Sequence, residues 1–240
     1  MKGRIQSFES LAALDGEGLR CAVFFAGCPL RCAYCHNPDT WSASGGREMG
    51  AEELTRKIVR YKPYFGESGG VTFSGGEPLL QAEFLEEMIP LLQKEGIGYI
   101  VDTSGAVDLT DSVRDVLQSA QSVLLDLKFW DDESYRRYTG QSMDRTLSML
   151  HYLNEIGKKT RIRIVVVPEI NDREEILERY LLHLRGMRCV SGVELLAFHT
   201  MGFFKYEGLG ISNPLDGTPA LSQDIKDRLQ DFVNRSLCLS

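Results

Sequence analysis

The alternation of short apolar runs with amphipathic segments constrains the fold of this chain most strongly. Continuous hydrophobicity over five or six residues is typical of strands that are buried on both faces, as in a parallel sheet. The segments between the runs have helical spacing, as where Val113, Val116 and Leu117 follow an i, i+3, i+4 pattern. The apolar runs are 21–26, 70–74, 99–103, 123–127, 162–167 and 193–198.

Six strand–helix units in sequence imply right-handed crossovers between parallel strands. We therefore predict an α/β fold of the partial TIM-barrel type, with about six βα units. The alternative is a doubly wound open sheet. No low-complexity segment or long linker interrupts the 240 residues, of which 43% are hydrophobic, so we expect a single domain over 1–240 with a sizeable core.

Charge and hydropathy exclude several classes of partner. The formal net charge of −7 argues against nucleic acid, because phosphate binding needs a basic footprint. No stretch approaches the roughly 18 apolar residues of a membrane span, and the N-terminus lacks the apolar run of a signal peptide. We expect a cytoplasmic protein, with no membrane partner, whose cysteines are ligands, catalysts or core residues rather than disulfides.

Half of the six cysteines lie close together in the loop 27–36. Cys28, Cys32 and Cys35 have the spacing Cys-x3-Cys-x2-Cys, which lets one loop bring three thiolates together. A four-iron cubane needs four ligands, and this loop offers three. The fourth iron would then be open to a non-protein ligand, as in catalytic metal sites. These residues therefore predict a catalytic [4Fe–4S] cluster.

A structural zinc site is the alternative for this loop, with His36 or Cys21 as the fourth ligand. Structural zinc usually draws on two separated ligand pairs, and the sequence has no second pair. Cys21, Cys189 and Cys238 are isolated along the chain, so we expect them to be ordinary buried or peripheral thiols.

Polar residues follow most of the apolar runs. In a barrel the chemistry lies at the carboxyl ends of the strands, where Gly75-Gly76-Glu77, Lys128 and His199 are expected. The Lys128 ammonium should face the barrel mouth, unless it is held in a salt bridge by Asp126 or Asp102.

Arg163 lies inside an apolar run, where an unpaired charge would be costly. It is expected either to point into the barrel towards substrate or cofactor, or to have a structural partner.

The cysteine motif, with Tyr34 before its last cysteine, resembles the signature of radical S-adenosylmethionine enzymes. The resemblance extends from about Gly3 to beyond His199 and is closest to the activating enzymes of glycyl radical enzymes, of the pyruvate formate-lyase type. The segments that carry it are 3–10, 15–20, 34–41, 74–77 and 125–128.

The resemblance implies an oxidoreductase that cleaves S-adenosylmethionine reductively at the cluster. The resulting 5′-deoxyadenosyl radical would abstract a hydrogen from a glycine of pyruvate formate-lyase and so install a glycyl radical. The implied electron donor is a flavodoxin or a ferredoxin. The interval 41–68 contains no cysteine, so the extra cluster region of several other activators is absent.

Three alternatives are an activator of a different glycyl radical enzyme, a radical enzyme acting on a small molecule, and a non-catalytic iron–sulfur or zinc protein. Gly75-Gly76-Glu77 and Lys128 disfavour the last of these, because a bare metal module would not need them.

The resemblance also assigns roles to single residues. Tyr34 and His36 would lie near the adenine, His199 near the ribose, and Gly75 and Gly76 beside the ammonium group. The full set of expected contacts with S-adenosylmethionine is Tyr34, Cys35, His36, Gly75, Gly76, Glu77, Asp102, Asp126, Leu127, Lys128, Arg163 and His199.

Two further sites are implied in the same way. Asp102, Thr103 and Asp126 would coordinate a monovalent cation, and oxygen ligands suit such hard ions. Asp15 and Arg20 would lie near the incoming glycine peptide, in a loop where Glu17 replaces the usual proline.

Overall fold

A computed structural model describes residues 1–13 and 15–238. The chain divides into two compact units, which are described separately below; the expectation of a single domain over 1–240 stays a prediction. The first unit is Met1–Pro29 with Asp39–Leu124, and the second is Leu30–Pro38 with Leu125–Ser240.

The described residues form eight strands in one sheet, and six of the strands coincide with the six predicted runs. The strands are β1 (Lys2–Ala12), β2 (Arg20–Phe25), β3 (Arg47–Gly50), β4 (Gly70–Gly75), β5 (Tyr99–Thr103), β6 (Ser122–Asp126), β7 (Thr160–Val166) and β8 (Val190–Ala197).

The strand order decides between the two predicted topologies. It is β3-β1-β2-β4-β5-β6-β7-β8, so the six predicted strands lie side by side in chain order. A doubly wound sheet would reverse its order at a switch point, and this one does not. Since β3 and β8 end the order without pairing in the described part of the chain, the sheet is not closed. The predicted α/β fold of the partial-barrel type is confirmed.

Parallel pairing in the first unit aligns the carboxyl ends of two strands. Phe25 of β2 pairs with Gly75 of β4, and β4 pairs in parallel with β5. This register puts Gly27 and Cys28, which follow β2, beside the Gly75–Glu77 turn.

Two antiparallel strands extend this unit at one edge. β1 pairs with β2 on one side and with β3 on the other. Neither was predicted, because β1 alternates polar and apolar residues and β3 is only four residues long.

The helices of the first unit cover its sheet with their apolar faces. Leu54 and Ile58, four residues apart on the first of these helices, are fully buried. Thr110 caps the third helix by accepting a hydrogen bond from the Val113 amide at 3.3 Å. The helices are α1 (Ala51–Val59), α2 (Ala82–Lys94) and α3 (Asp111–Ser119).

The second unit contains the parallel pair β7 and β8, in which Ile162 pairs with Val193. Ser222 accepts a hydrogen bond from the Ile225 amide at 3.4 Å, at the start of the last helix of this unit. The helices are α4 (Asp132–Thr139), α5 (Asp144–Glu155), α6 (Glu174–Leu182), α7 (Phe204–Leu209) and α8 (Gln223–Cys238). Over the residues described, no helix has the length and apolar character needed to cross a membrane.

Candidate active site

Cys28 lies in the first unit, three residues after the end of β2. Its backbone amide donates to the carbonyl of Trp41 at 3.3 Å, and the Gly27 amide donates to Thr40 at 2.7 Å. These bonds hold the first part of the cysteine loop against the segment that leads to β3.

Cys32 and Cys35 lie in the second unit and are joined by a turn in which the Cys35 amide donates to the Cys32 carbonyl at 3.0 Å. The turn is anchored on α4, because the Arg31 and Ala33 amides both donate to carbonyls at its carboxyl end. Cys28, Cys32 and Cys35 do not form disulfides, as a ligand role requires.

Two of the isolated cysteines are buried, as predicted. Cys21 is fully buried, its thiol lies 3.2 Å from the Ser10 carbonyl, and burial raises its pKa to about 11. Burial also raises the pKa of the Cys189 thiol. Protonated, buried thiols are poor metal ligands. The side chain of Cys238 lies outside the described residues.

Gly75 and Gly76 let two backbones approach each other beside the cysteine loop. A Cβ on Gly75 would lie 2.2 Å from the Phe25 nitrogen, and one on Gly76 would lie 2.2 Å from the Gly27 carbonyl oxygen. Gly75 also has φ +113, a conformation that other residues rarely adopt. Both glycines are therefore needed for strand packing, whatever else approaches them.

Glu77 is fully buried and accepts four hydrogen bonds within the first unit. One oxygen accepts from the Thr103 hydroxyl at 2.7 Å and the Leu79 amide at 3.2 Å. The other accepts from the Ser104 amide at 2.9 Å and the Ser104 hydroxyl at 2.6 Å. Burial raises the pKa of Glu77 and these donors oppose the rise. The three bonds from Thr103 and Ser104 tie the Gly75–Glu77 turn to the end of β5.

Asp102 lies at the carboxyl end of β5, where it accepts a hydrogen bond from the Ser74 hydroxyl at 2.6 Å. Thr103, the next predicted cation ligand, uses its hydroxyl on Glu77. Among the described residues, no group of three histidine, cysteine, aspartate or glutamate side chains is arranged around a single ion. The predicted cation site stays a prediction.

The Asp126 carboxylate forms ion pairs with two basic side chains, Lys128 and Arg163. One carboxylate oxygen lies 2.6 Å from the Lys128 ammonium and the other 2.9 Å from the Arg163 guanidinium. The salt-bridge alternative for Lys128 and the structural alternative for Arg163 are thus both present in the second unit. All three side chains are largely buried, with 12–18% of their surface exposed.

The three charges stabilise one another in this setting. Burial alone would raise the pKa of Asp126, but Arg163 and Lys128 overcome it, so the pKa lies below its usual range. Burial likewise opposes the charge on Lys128, yet Asp126 holds its pKa well above the ordinary value. The arrangement presents an excess of one positive charge.

His36 and His199 form a stacked pair in the second unit, with ring centroids 3.9 Å apart. The Nε2 of His36 lies 2.7 Å from the His199 carbonyl oxygen. Burial lowers the pKa of His36, and this hydrogen bond partly opposes the shift. The Nδ1 of His199 is buried without a hydrogen-bond partner, and burying such a group costs free energy unless something pairs with it.

A segment that the sequence analysis did not single out holds the last part of the cysteine loop. Tyr206 donates its hydroxyl to the Cys35 carbonyl at 2.9 Å, and Lys205 donates to Asn37 at 2.8 Å. Gly202 packs so closely on His36 that a Cβ there would lie 2.5 Å from the His36 carbonyl oxygen. Helical periodicity carries no signal for such contacts, because they join residues more than 160 positions apart.

Arg20 is fully buried at the start of β2, and its side chain interacts with other residues of the first unit. Its guanidinium donates to the Thr72 hydroxyl at 2.8 Å and to the carbonyls of Glu17, Ser68 and Val71 at 2.9–3.0 Å. Thr72 donates in turn to the Asp15 carbonyl at 2.6 Å. Arg20 and Thr72 therefore hold the 15–19 loop in place. Sequence patterning missed Thr72.

Comparison with known protein families identifies the chain. The model of the radical SAM superfamily matches residues 22–180, which include most of β2, the cysteine loop and the strands from β3 to β7. The chain is also 42% identical to the pyruvate formate-lyase-activating enzyme of Clostridium pasteurianum, over 98% of both chains. It is 40% identical to the pyruvate formate-lyase 1-activating enzyme of Escherichia coli K12, over 97% of this chain and 96% of the other.

The chain belongs to the radical SAM superfamily and, within it, to the pyruvate formate-lyase-activating enzyme family. It is thus an enzyme of the class that uses a [4Fe–4S] cluster and S-adenosylmethionine.

Solved structures share the fold. A domain of pyruvate-formate lyase-activating enzyme from Bacteroides vulgatus superposes with a TM-score of 0.57 at 22% identity, covering 70% of this chain and 94% of that one. Streptococcus suis SuiB bound to S-adenosylmethionine superposes with a TM-score of 0.67 at 18% identity and covers 88% of this chain. This chain spans 45% of the SuiB chain.

Proposed function

We propose that this chain installs a glycyl radical in pyruvate formate-lyase. The observation that carries the proposal is the 42% identity to a pyruvate formate-lyase-activating enzyme over 98% of both chains. The similarity thus extends over nearly the full length of that relative rather than over one shared module.

The residues fit the group that the family implies. Three cysteines in one loop, none of them in a disulfide, are a donor set for a [4Fe–4S] cluster with one open iron. The unpaired, buried Nδ1 of His199 fits a hydrogen-bond partner such as a ribose hydroxyl. When bound, the cluster supplies the electron that cleaves S-adenosylmethionine, whose deoxyadenosyl fragment then takes a hydrogen atom from the substrate glycine.

The residues of this chain are proposed to bind the cluster and to orient S-adenosylmethionine. Cys28, Cys32 and Cys35 are the proposed cluster ligands. Lys128 is the proposed partner of the S-adenosylmethionine carboxylate, because Asp126 already shares its charge with Arg163. Leu127 and Asp126 position Lys128: the Leu127 amide donates to the Arg163 carbonyl at 3.0 Å, which keeps this strand end rigid.

His36 and Tyr34 are proposed to lie near the adenine of S-adenosylmethionine. Tyr34 is almost fully buried, and its hydroxyl reaches the Lys128 carbonyl at 3.4 Å. Gly75, Gly76 and Glu77 are proposed to present backbone to the ammonium group, with the Glu77 carboxylate fixing the turn through its four donors.

The remaining assignments are proposals of the same kind. A monovalent cation is proposed to be coordinated by Asp102, Thr103 and Asp126. The loop that contains Asp15, which Arg20 supports, is proposed to contact the glycine peptide. Reductive cleavage consumes an electron, and we propose a flavodoxin or a ferredoxin as its source. Cysteines that do not form disulfides suit a reducing compartment, so the proposed location is the cytoplasm.

Electron paramagnetic resonance tests the function directly. Anaerobically reconstituted protein, reduced with dithionite and given S-adenosylmethionine, should generate a glycyl radical signal in purified pyruvate formate-lyase. Cys32→Ala should abolish the signal, whereas Cys189→Ala, which changes a buried thiol outside the loop, should retain it. Full activity of Cys32→Ala would refute the class of mechanism. Cleavage of S-adenosylmethionine with no radical in pyruvate formate-lyase would refute the assigned substrate and favour a different glycyl radical enzyme.

A further inference from the structure

The hydroxyl of Tyr206 donates to the carbonyl of Cys35, a proposed cluster ligand, at 2.9 Å. Tyr206 has 2% of its surface exposed, so the bond is shielded from water, which would otherwise compete for the same carbonyl. The donor lies on α7 and the acceptor in the cysteine loop.

The tyrosine ring is itself held in one place. It packs edge-on against Phe203, with ring centroids 5.9 Å apart, and Phe203 packs on Phe198 at 5.7 Å. Aromatic pairs of this geometry contribute beyond their buried area. The phenol is therefore preorganised to donate, and little conformational entropy is lost when it does.

The next two residues of the loop, His36 and Asn37, also contact the segment that contains Tyr206. Lys205 donates to the Asn37 side chain, and Gly202 packs on the backbone of His36. Three consecutive loop residues, Cys35 to Asn37, are thus fixed by residues 202–206. Of these contacts, the one from Tyr206 is made to the ligand residue itself.

We propose that Tyr206 is a positioning residue for the cluster, which sets the orientation of Cys35 and tunes the reduction potential. Outer hydrogen bonds orient metal ligands, and their loss typically lowers metal affinity or activity by roughly 10- to 100-fold. Hydrogen bonding and solvent exposure around the ligands also set the potential of iron–sulfur clusters. Removing the phenol hydrogen takes away the positive end of a dipole near the cluster, which disfavours the added electron.

The proposal rests on the cluster assignment of the proposed function, and Tyr206→Phe tests it. This variant keeps the ring and its packing but loses the donor. The matched control is Tyr152→Phe, which removes a hydroxyl from another buried tyrosine of the same unit, on α5. Both proteins are reconstituted anaerobically and compared with wild type by redox titration, monitored by electron paramagnetic resonance, and by the rate of iron release to a chelator.

We expect Tyr206→Phe to have a more negative midpoint potential and roughly tenfold faster iron release, while Tyr152→Phe behaves as wild type. A potential and a release rate that match wild type would overturn the proposal, as would an equal change in both variants.

If Tyr206→Phe does not fold, Lys205→Met and Gly202→Ala test the contacts that the same segment makes with the cysteine loop. Faster iron release in both supports the proposal, and wild-type rates in both overturn it. Failure of the proposed function would be seen separately, in a wild-type protein that binds the cluster but forms no glycyl radical.

Discussion

The ring of His36 stacks on the ring of His199 at a centroid distance of 3.9 Å, although the two residues are 163 positions apart in the chain. One histidine follows the last proposed cluster ligand, and the other follows the last strand of the sheet. Each keeps the other's ring in place, and the Nδ1 of His199 is left buried and unpaired.

Replacing His199 by alanine should therefore weaken the binding of S-adenosylmethionine. The change removes the unpaired nitrogen and the stacking partner of His36. At a loss of roughly 1 kcal/mol, we expect about a fivefold higher dissociation constant. Isothermal titration of the reconstituted protein measures it. The control is His151→Ala, an exposed histidine of α5, which should bind as wild type does. Unchanged affinity in His199→Ala would contradict the proposed contact.

Replacing Asp126 by asparagine should destabilise the second unit by about 3 kcal/mol, because breaking a buried ion pair leaves an uncompensated charge. Here two buried cations, Lys128 and Arg163, lose their shared partner. Urea unfolding of the cluster-free protein measures the change. Asp132→Asn is the control, since Asp132 pairs with Arg136 at the surface, where ion pairs contribute little. Equal stability of Asp126→Asn and wild type would contradict the geometry.

The same carboxylate predicts a pH dependence of stability. The pKa of Asp126 is lower in the folded than in the unfolded chain, so its contribution is fully present above the unfolded value of about 3.9. The contribution is lost as the pH falls through the lower, folded pKa. Urea unfolding from pH 6 downward should show wild type losing its advantage over Asp126→Asn below about pH 3.9. A constant difference between the two proteins across that range would count against the shift.

Replacing Arg20 by methionine should destabilise the first unit by about 3 kcal/mol, because buried acceptors lose their donors. Lysine should not rescue the loss, since its ammonium cannot reproduce the planar fork that reaches Thr72 and three carbonyls at once. Thermal unfolding compares both variants with Arg60→Met, an exposed arginine of the same unit. Wild-type stability in Arg20→Lys would show that the fork geometry is unimportant.

Replacing Glu77 by glutamine should cost about 2 kcal/mol, because the amide NH2 would face donors where a carboxylate oxygen accepted from them. Each carboxylate oxygen accepts two of the four bonds from Thr103, Ser104 and Leu79, so two bonds lose their acceptor and the other two remain. Since these bonds hold the turn beside Gly27, iron release should also quicken. Glu83→Gln, an exposed glutamate of α2, is the matched control. A Glu77→Gln protein as stable as this control would rule out the inferred role.

The sequence by itself determined six of the strands, the cysteine loop and the polar residues at the strand ends. These features depend on periodicity and short spacing, which are local properties of the chain. The buried runs are long enough to be read without knowing their neighbours, and all six are strands in the structure.

Tertiary structure alone decided how those residues are paired. Asp126 binds Lys128 and Arg163 together, Arg20 is buried on Thr72, and Tyr206 reaches Cys35 from 171 positions away. The two antiparallel edge strands likewise depend on partners that no local pattern names. A hydrogen bond or an ion pair is fixed by the distance between two side chains, and that distance is set by strand order and register rather than by separation along the chain.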